Sequence, residues 1–323
     1  MAQLVPAEGA ILGPVLDATY EIWHQGLSRP AYGRLHAAQL ATPWGRGHLR
    51  RLAVVEGADV LASAVVSTFD ATLDGGPIRV AGLGAVFTQP AHRRRGAARD
   101  LIERLLERAA ADGADLALLF TEIGPEYYAR LGFEPIATTV KQFGVFQSDR
   151  YGAPATMVRG GDDRDLADIA AMDGTRAAGY RFHLNRDRDL VYFSIARKRL
   201  LAGLGPPGAR EVHFFIAEEG ASAAAYVVIA ASGREWVLDS AGDRDPSGAR
   251  VGAILQVLIA RDPAEARPVI SGWLPAGFLP PQMTVIGEQP SAELMMVRPL
   301  TRAGEAARGL REDDLMYWRG DLF

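Results

Sequence analysis

The alternation of apolar and polar residues along the chain predicts secondary structure in a recurring order. A short strand at residues 2–6 precedes two helical stretches, 8–24 and 28–41, whose apolar residues recur at near-helical spacing. A loop around Pro43 is expected to end these helices. Three antiparallel strands follow, because apolar and β-branched runs are separated by glycine-rich turns; they are predicted over residues 49–55, 60–69 and 78–87.

An amphipathic helix comes after these strands. Apolar residues from Leu101 to Ala109 recur at helical spacing, charged residues fill the other face, and Gly113 stands where a helix commonly ends. The apolar run at residues 116–120 predicts a strand buried on both faces. A short helix opening at Pro125 and one or two strands within residues 133–146 complete this half of the chain.

The order of predicted elements starts again after a polar stretch at residues 147–154, which we interpret as a linker. We therefore expect an α+β protein of two domains built on one plan, each a mixed, mostly antiparallel sheet flanked by helices. The expected bounds are residues 1–147 for the first domain, 155–300 for the second and 301–323 for a C-terminal tail that packs towards the active site.

Composition narrows the classes of function that the chain can serve. A length of 323 residues fits two cores, and the absence of cysteine excludes thiolate metal sites and cysteine nucleophiles. The six histidines show no metal-binding spacing, so no metal is expected. With a net charge of −4 and no long apolar run, we expect no nucleic-acid partner, no membrane span and a cytoplasmic location.

A basic, small-residue segment lies between the third strand and the amphipathic helix. A helix N-terminus presents free backbone N–H groups and the positive end of the helix dipole, and small residues let an anion approach them. The segment therefore predicts a site for a dianionic pyrophosphate, although it could also be a basic loop that caps a surface helix. Its residues are Arg93, Arg94, Arg95, Gly96, Ala97 and Ala98.

A second signal follows the buried strand. Tyr128 lies on the predicted short helix, four residues before Gly132. A phenol at this point could donate a proton to a departing thiolate, which makes Tyr128 a candidate general acid. The alternative is a core aromatic residue, the interpretation that we give to Tyr127 and Phe133. Together the two signals favour an acyl-CoA-dependent transferase.

In this order and spacing the two segments resemble the GCN5-related N-acetyltransferase (GNAT) superfamily, over residues 1 to about 145. The resemblance implies acetyl-CoA as co-substrate, a bulged strand whose backbone binds the pantetheine arm, and Tyr128 as general acid. The residues that it implies in binding acetyl-CoA are Val86, Phe87, Thr88, Arg93, Arg94, Arg95, Gly96, Ala97, Ala98 and Arg99.

Two departures from the superfamily pattern affect this assignment. Ala98 replaces the commoner glycine in the third small-residue slot, which the superfamily tolerates. No carboxylate lies between Val80 and Phe87, where many members keep a general base. This strand therefore offers no candidate for the general base.

Two carboxylates compete for the role of base. Glu122 lies in a segment that resembles fungal lysine N6-acetyltransferases, in which an acidic stretch precedes the tyrosine. The two-part layout and the aromatic C-terminus instead resemble the Eis type of multi-acetylating enzyme, in which the terminal carboxylate reaches the active site; here that residue is Phe323. Either group could simply bind the ammonium, and the plainer alternatives are an exposed Glu122 and an apolar anchor at Phe323.

The second half lacks the phosphate-binding segment. Residues 239–248 take its place, and Asp239, Asp243 and Asp245 would repel a pyrophosphate. We expect a catalytically silent domain that walls the acceptor pocket, buries the tail or forms an oligomer interface. The pair Gly82 and Gly84 lies inside a strand with no third glycine before a helix, so it does not predict a dinucleotide site.

These observations predict an N-acetyltransferase that moves acetyl from acetyl-CoA to a primary amine by direct attack. The acceptor is expected to be a small-molecule amine such as lysine, another small amine or a polyamine; a protein side chain and a homo-oligomeric partner stay open. The competing hypothesis is a non-catalytic acyl-CoA-binding or regulatory protein.

Overall fold

The structure is a computed structural model that describes residues 2–146 and 152–323, so most of the predicted linker lies outside the described residues. It contains two compact units. The first comprises residues 2–137, residues 292–311 and Phe323; the second comprises residues 138–291, within the described range, and residues 312–322.

The first unit opens with a strand and three helices, followed by a three-stranded meander. Most predicted elements are confirmed, but the expected loop at Pro43 is a helix, because the Thr42 hydroxyl caps it by accepting from the Gly45 N–H at 3.0 Å. The elements are β1 (Gln3–Pro6), α1 (Leu12–Trp23), α2 (Arg29–Ala41), α3 (Pro43–His48), β2 (Leu49–Glu56), β3 (Asp59–Leu73), β4 (Gly76–Thr88), α4 (Ala97–Ala111), β5 (Leu116–Thr121), α5 (Glu126–Ala129) and β6 (Glu134–Ile136).

The remaining elements follow the same plan. They are β7 (Thr139–Val145), β8 (Met157–Gly160), α6 (Leu166–Ala177), β9 (Phe182–Leu184), α7 (Arg188–Leu204), β10 (Glu211–Glu219), β11 (Ser222–Ser232), β12 (Glu235–Asp243), α8 (Ala249–Ile259), β13 (Val269–Gly272), β14 (Met283–Pro290), β15 (Leu294–Pro299) and β16 (Leu315–Met316). Of these, β9, β14, β15 and β16 were not predicted from the sequence.

The two sheets have matching strand orders. The first runs β1-β2-β3-β4-β5-β15-β6 and the second runs β8-β10-β11-β12-β13-β7-β14. Within each of these strand orders a crossover helix links a parallel pair, β4 with β5 through α4 and β12 with β13 through α8. The expected α+β fold of two similar domains, each with a mixed, mostly antiparallel sheet, is confirmed.

The domain bounds expected from the sequence differ from the division in the structure. Strand β7, which lies inside the expected first domain, pairs with β13 and β14 of the second sheet. Strand β15, inside the expected second domain, lies between β5 and β6 of the first sheet. Each half of the chain thus supplies one strand to the sheet of the other half, at the position beside the parallel pair.

The core of the first domain lies on both faces of its sheet. On one face α4 packs its apolar side, including Leu101 and Leu105, against β2, β3 and β5. On the other face α1 contributes Val15 to a smaller cluster that includes Ala53.

The C-terminal tail, which is predicted as one segment, is divided between the two units. Residues 301–311 belong to the first unit and residues 312–322 to the second.

Residues 312–322 are built into the second domain. Trp318 is fully buried in its core, and β16 pairs in parallel with β9. Asp321 is buried as well; it accepts from the Ser194 hydroxyl at 2.9 Å and lies 3.1 Å from Nε of Arg186. In the described residues, no helix is both long and apolar enough to cross a membrane.

Candidate active site

Strand β4 carries a bulge near its end. Gly84 pairs with Val65 and Phe87 pairs with Ser63, so Ala85 and Val86 together face the single residue Ala64. Ala85 has a φ of +47°, in the left-handed region that side chains other than glycine rarely adopt. A bulge takes backbone groups out of the ladder, and this one lies directly before the predicted pantetheine-binding residues Val86, Phe87 and Thr88.

The hydrogen-bonded pairing of the neighbouring strands β4 and β5 ends just before this bulge. Their parallel pairing runs from Val80 with Leu116 to Leu83 with Leu119, and no later pair forms among the described residues. Both strands nevertheless continue, β4 to Thr88 and β5 to Thr121. Within residues 2–146 and 152–323, no strand therefore pairs with the bulged backbone of β4 on that side.

The predicted phosphate-binding segment forms a tight loop between β4 and α4. Arg94 and Gly96 both have left-handed backbone conformations, with φ values of +62° and +86°. Arg93 ties the loop back to the strand, since its Nε donates to the Thr88 carbonyl oxygen at 3.2 Å. Gly96 is the N-cap of α4 and brings no side chain to cap the first-turn N–H groups.

The charged residues around this loop favour the binding of an anion. Arg93, Arg94 and Arg95 are exposed, and the small residues Ala97 and Ala98 form the first turn of α4. Arg99, which is predicted to bind acetyl-CoA, forms an ion pair within α4. Its Nε donates to the Glu103 carboxylate at 2.7 Å, and this contact raises the pKa of Arg99. The loop therefore offers free N–H groups, a helix dipole and exposed guanidinium groups.

Tyr128 is buried on the short helix α5. Its ring lies edge-on to the rings of Tyr127 and Phe133, with centroid separations of 5.2 Å and 6.0 Å. Burial, with a smaller contribution from Tyr127, raises the pKa of Tyr128 to about 12. The phenol therefore stays protonated throughout the neutral range, which a general acid requires.

The last residue of the chain lies on the sheet face of β4. The Phe323 ring packs between Phe69 and Phe120, at centroid separations of 5.4 Å and 5.6 Å. A Cβ atom built on Gly82 would stand 2.5 Å from this ring, and one built on Gly84 would stand 3.1 Å from the terminal carboxyl oxygen. The two glycines thus make room for Phe323, and its carboxyl group lies beside Gly84, one residue before the bulge.

An aromatic series continues from Phe323 along the same domain. Trp44 lies 5.1 Å from Phe69 and stacks on His48 at 5.1 Å. The sequence does not single out Trp44, because the segment around Pro43 is predicted to be a loop. The proline and the Thr42 cap at the start of α3 were the available signals.

Comparisons with known proteins find one family model that matches part of the chain. Residues 18–136 match the family model described as "Acetyltransferase (GNAT) domain". This match covers most of the first domain and shows that the domain is similar to GNAT acetyltransferase domains. The domain match supports the acyl-CoA-dependent N-acyltransferase predicted from the sequence. No curated protein sequence matches the chain.

Solved structures show the same fold over nearly the whole chain. A GCN5-related N-acetyltransferase from Kribbella flavida is 20% identical with a TM-score of 0.68, covering 96% of this chain and 74% of its own. A probable N-acyltransferase from Enterococcus faecalis is 12% identical with a TM-score of 0.66, covering 93% and 73%. Eis1 from Mycobacterium abscessus is 16% identical with a TM-score of 0.59, covering 93% and 74%.

The second GNAT-like domain fills its equivalent loop with its own side chains. Asp243 accepts from the backbone N–H of Arg250 at 2.8 Å and from Nη1 of Arg250 at 3.0 Å, at the N-terminus of α8. Phe278 packs against Gly248, the N-cap residue of α8, where an added Cβ would stand 2.7 Å from its ring. A carboxylate thus stands where the first GNAT domain offers N–H groups to an anion.

The two candidate bases differ in their surroundings. Glu122 is exposed in the turn that follows β5. Phe323 is half-buried, with its carboxyl group against Gly84. The structure therefore brings Phe323, and not Glu122, against the strand that carries the bulge. Among the described residues, no group of three or more His, Asp or Glu side chains could hold a metal ion.

Proposed function

We propose that the chain transfers an acetyl group from acetyl-CoA to a primary amine by direct attack, at one active site in the first domain. The observation that carries this proposal is the terminal carboxyl group of Phe323, beside Gly84 and next to the left-handed bulge at Ala85. A base, a distorted strand and the phosphate-binding loop thus belong to one domain.

The donor side follows from the loop and the bulge. The N–H groups at the start of α4 and the exposed Arg94 and Arg95 bind the pyrophosphate of acetyl-CoA. The bulged backbone at Val86 hydrogen-bonds the pantetheine arm and polarises the thioester carbonyl. This arrangement uses backbone groups that the sheet itself does not pair.

The proton transfers follow from the two titratable groups. The Phe323 carboxylate accepts a proton from the ammonium group of the acceptor, and the free amine attacks the thioester carbon. When the tetrahedral intermediate collapses, the carbon–sulfur bond breaks and the leaving thiolate takes the phenolic proton of Tyr128. The raised pKa of Tyr128 keeps that proton available at neutral pH.

The second domain serves in this proposal as a silent partner. The Asp243 carboxylate at the N-terminus of α8 repels a pyrophosphate, and the core of this domain buries Trp318 and Asp321, just before the last two residues. Acetyl-CoA is accordingly expected to bind once per chain.

The reaction is tested by measuring CoA release from acetyl-CoA with a panel of primary amines. We expect at least one amine to accelerate release, and Tyr128→Phe to lower kcat about 100- to 10,000-fold with little change in acetyl-CoA affinity. Tyr127→Phe is the matched control, because its hydroxyl is buried without a partner among the described residues, and we expect it to leave kcat nearly unchanged. Tight binding of acetyl-CoA with no amine-dependent release would instead indicate a non-catalytic acyl-CoA-binding protein.

The identity of the base is tested at the C-terminus. A semisynthetic chain that ends in phenylalanine amide keeps the Phe323 ring and removes its charge, and we expect its kcat to fall at least tenfold. Glu122→Gln removes the competing carboxylate and is expected to leave kcat nearly unchanged. The reverse result would assign the base to Glu122.

A further inference from the structure

An arginine in the first domain, Arg51, has no anionic partner among the described residues. Nε and Nη1 of Arg51 on β2 are buried and form no hydrogen bond with any described residue. The side-chain hydrogen bond that the guanidinium makes is with Tyr32 of α2, whose hydroxyl lies 3.1 Å from that of Thr19. A buried cation that lacks a counter-ion is unfavourable, so a protein that keeps one generally uses it.

The neighbours of Arg51 do not neutralise it. His36 of α2 is buried, and its burial together with the positive charge of Arg51 lowers the pKa of His36 to about 4. The imidazole is therefore neutral at pH 7. Burial also lowers the pKa of Arg51 itself, but a guanidinium stays charged at any physiological pH.

The strand register places Arg51 on the same sheet face as Phe323. Residues directly opposite each other on antiparallel strands point to one face, and Arg51 pairs with Val65, which pairs with Gly84. The Phe323 carboxyl group covers that same face of Gly84. At a strand spacing of about 4.8 Å, the backbones of Arg51 and Gly84 are roughly 10 Å apart.

Other unpaired polar groups lie on this face. The hydroxyl groups of Ser63 and Ser67 on β3 are buried and have no hydrogen-bond partner among the described residues. Ser67 pairs with Gly82, and Ser63 pairs with Ala53, so both are on the face that Phe323 covers. The face thus combines a positive group, a negative group and two free hydroxyls.

We propose that Arg51 binds a carboxylate of the acceptor, so that the acceptor is an amine that also carries a carboxylate, of the amino-acid class. This inference rests on the proposed function, in which the Phe323 carboxylate receives the ammonium group. An ω-amino acid carries both of the charges that these groups would bind, an ammonium for the Phe323 carboxylate and a carboxylate for Arg51. A polyamine brings a second cation to Arg51 and is repelled.

The test compares acceptors that share an amine and a chain length. They are 6-aminohexanoate, 6-aminohexanamide and hexylamine, each assayed for kcat/KM and, with CoA present, for equilibrium binding. For the unmodified protein we expect the carboxylate to be preferred about 10- to 100-fold over the amide and over hexylamine, the range of a charge-assisted hydrogen bond.

Variants assign the preference to Arg51. Arg51→Met is expected to abolish the preference and Arg51→Lys to keep part of it. Arg50→Met is the matched control, because Arg50 is exposed on the same strand and is expected to leave the preference unchanged. If Arg51→Met does not fold, the comparison of the three acceptors on the unmodified protein still decides whether a carboxylate is recognised.

The outcomes separate the two proposals. Equal use of hexylamine and 6-aminohexanoate, or a preference that survives Arg51→Met, would overturn the role of Arg51 and leave the transferase intact. If none of the panel amines were acetylated, the transferase proposal would fail, and the binding measurement would still decide whether Arg51 recognises the carboxylate.

Discussion

The ring of Phe323 lies where a side chain on Gly82 would stand, 2.5 Å from the position of the missing Cβ. Gly82→Ala is therefore expected to displace the ring and with it the terminal carboxylate. Because the ring can move aside, we expect kcat to fall about tenfold or more, with little change in Tm or in acetyl-CoA affinity. Steady-state kinetics and thermal denaturation measure the two effects.

Gly76 provides the matched control for that substitution. It lies on the same strand, and a Cβ there meets only the Leu73 carbonyl oxygen at 3.5 Å, an ordinary contact. Gly76→Ala should leave kcat unchanged. Equal effects of the two substitutions would mean that Phe323 is not part of the active site.

Charge reversal in the phosphate-binding loop is expected to weaken acetyl-CoA binding. Arg95→Glu places a negative group beside the N-terminus of α4 and should raise the Kd for acetyl-CoA at least tenfold. Arg108→Glu is the control, because this exposed residue lies about 16 Å further along the same helix. Titration calorimetry should give one site per chain, lost in Arg95→Glu; a second site that survives would place acetyl-CoA in the second domain.

The lowered pKa of His36 predicts that stability falls in mild acid. Its pKa is about 4 in the folded chain against 6.5 as the ordinary value, so between these pH values the unfolded chain binds a proton that the folded chain does not. The stabilisation is complete above pH 6.5 and is lost as the pH falls towards 4, by up to about 3 kcal/mol. Urea denaturation at several pH values should show this loss in the unmodified protein and not in His36→Gln. Parallel pH curves for the two proteins would contradict the assignment.

The strand supplied by the second half of the sequence should be essential to the first domain. Met296 of β15 is fully buried between β5 and β6, so Met296→Ala is expected to cost about 2 to 5 kcal/mol in the free energy of unfolding. Met157→Ala on β8 is the matched control, because that side chain is largely exposed, and its cost should stay within about 0.5 kcal/mol. Similar losses from both would show that β15 contributes no more than a surface strand.

Local patterns were enough to predict much of the fold. The amphipathic helix α4, the hairpin of β2 and β3 and the buried strand β5 each carry their own periodicity, so a single sequence predicts them. The strands β9 and β16, with three and two residues, are too short for a period to emerge. The α3 helix was missed because its proline was interpreted as a terminator when it stands at the first helical position, where no N–H is required.

The domain bounds cannot be predicted without knowing which strands pair. Nothing in the sequence of β7 or β15 indicates that the strand belongs to the sheet of the other half. Alternation of apolar and polar residues indicates that a strand is half-buried, but it does not indicate which strand lies beside it. Only hydrogen bonds between residues far apart in the sequence assign β15 to the first sheet and β7 to the second. The same limit applies to the base, since Glu122 and Phe323 are about equally plausible until the chain is folded.

The sequence alone was enough to predict the resemblance to GNAT domains and to propose the donor side of the site. This was possible because the loop from Arg93 to Ala98 and the segment around Tyr128 are local in the chain. The tertiary structure alone decided why Gly82 and Gly84 are glycines and where the C-terminus lies. It also showed that Arg51 has no counter-ion among the described residues. Those relationships depend on which residues meet across strands, and sequence spacing does not encode such contacts over hundreds of residues.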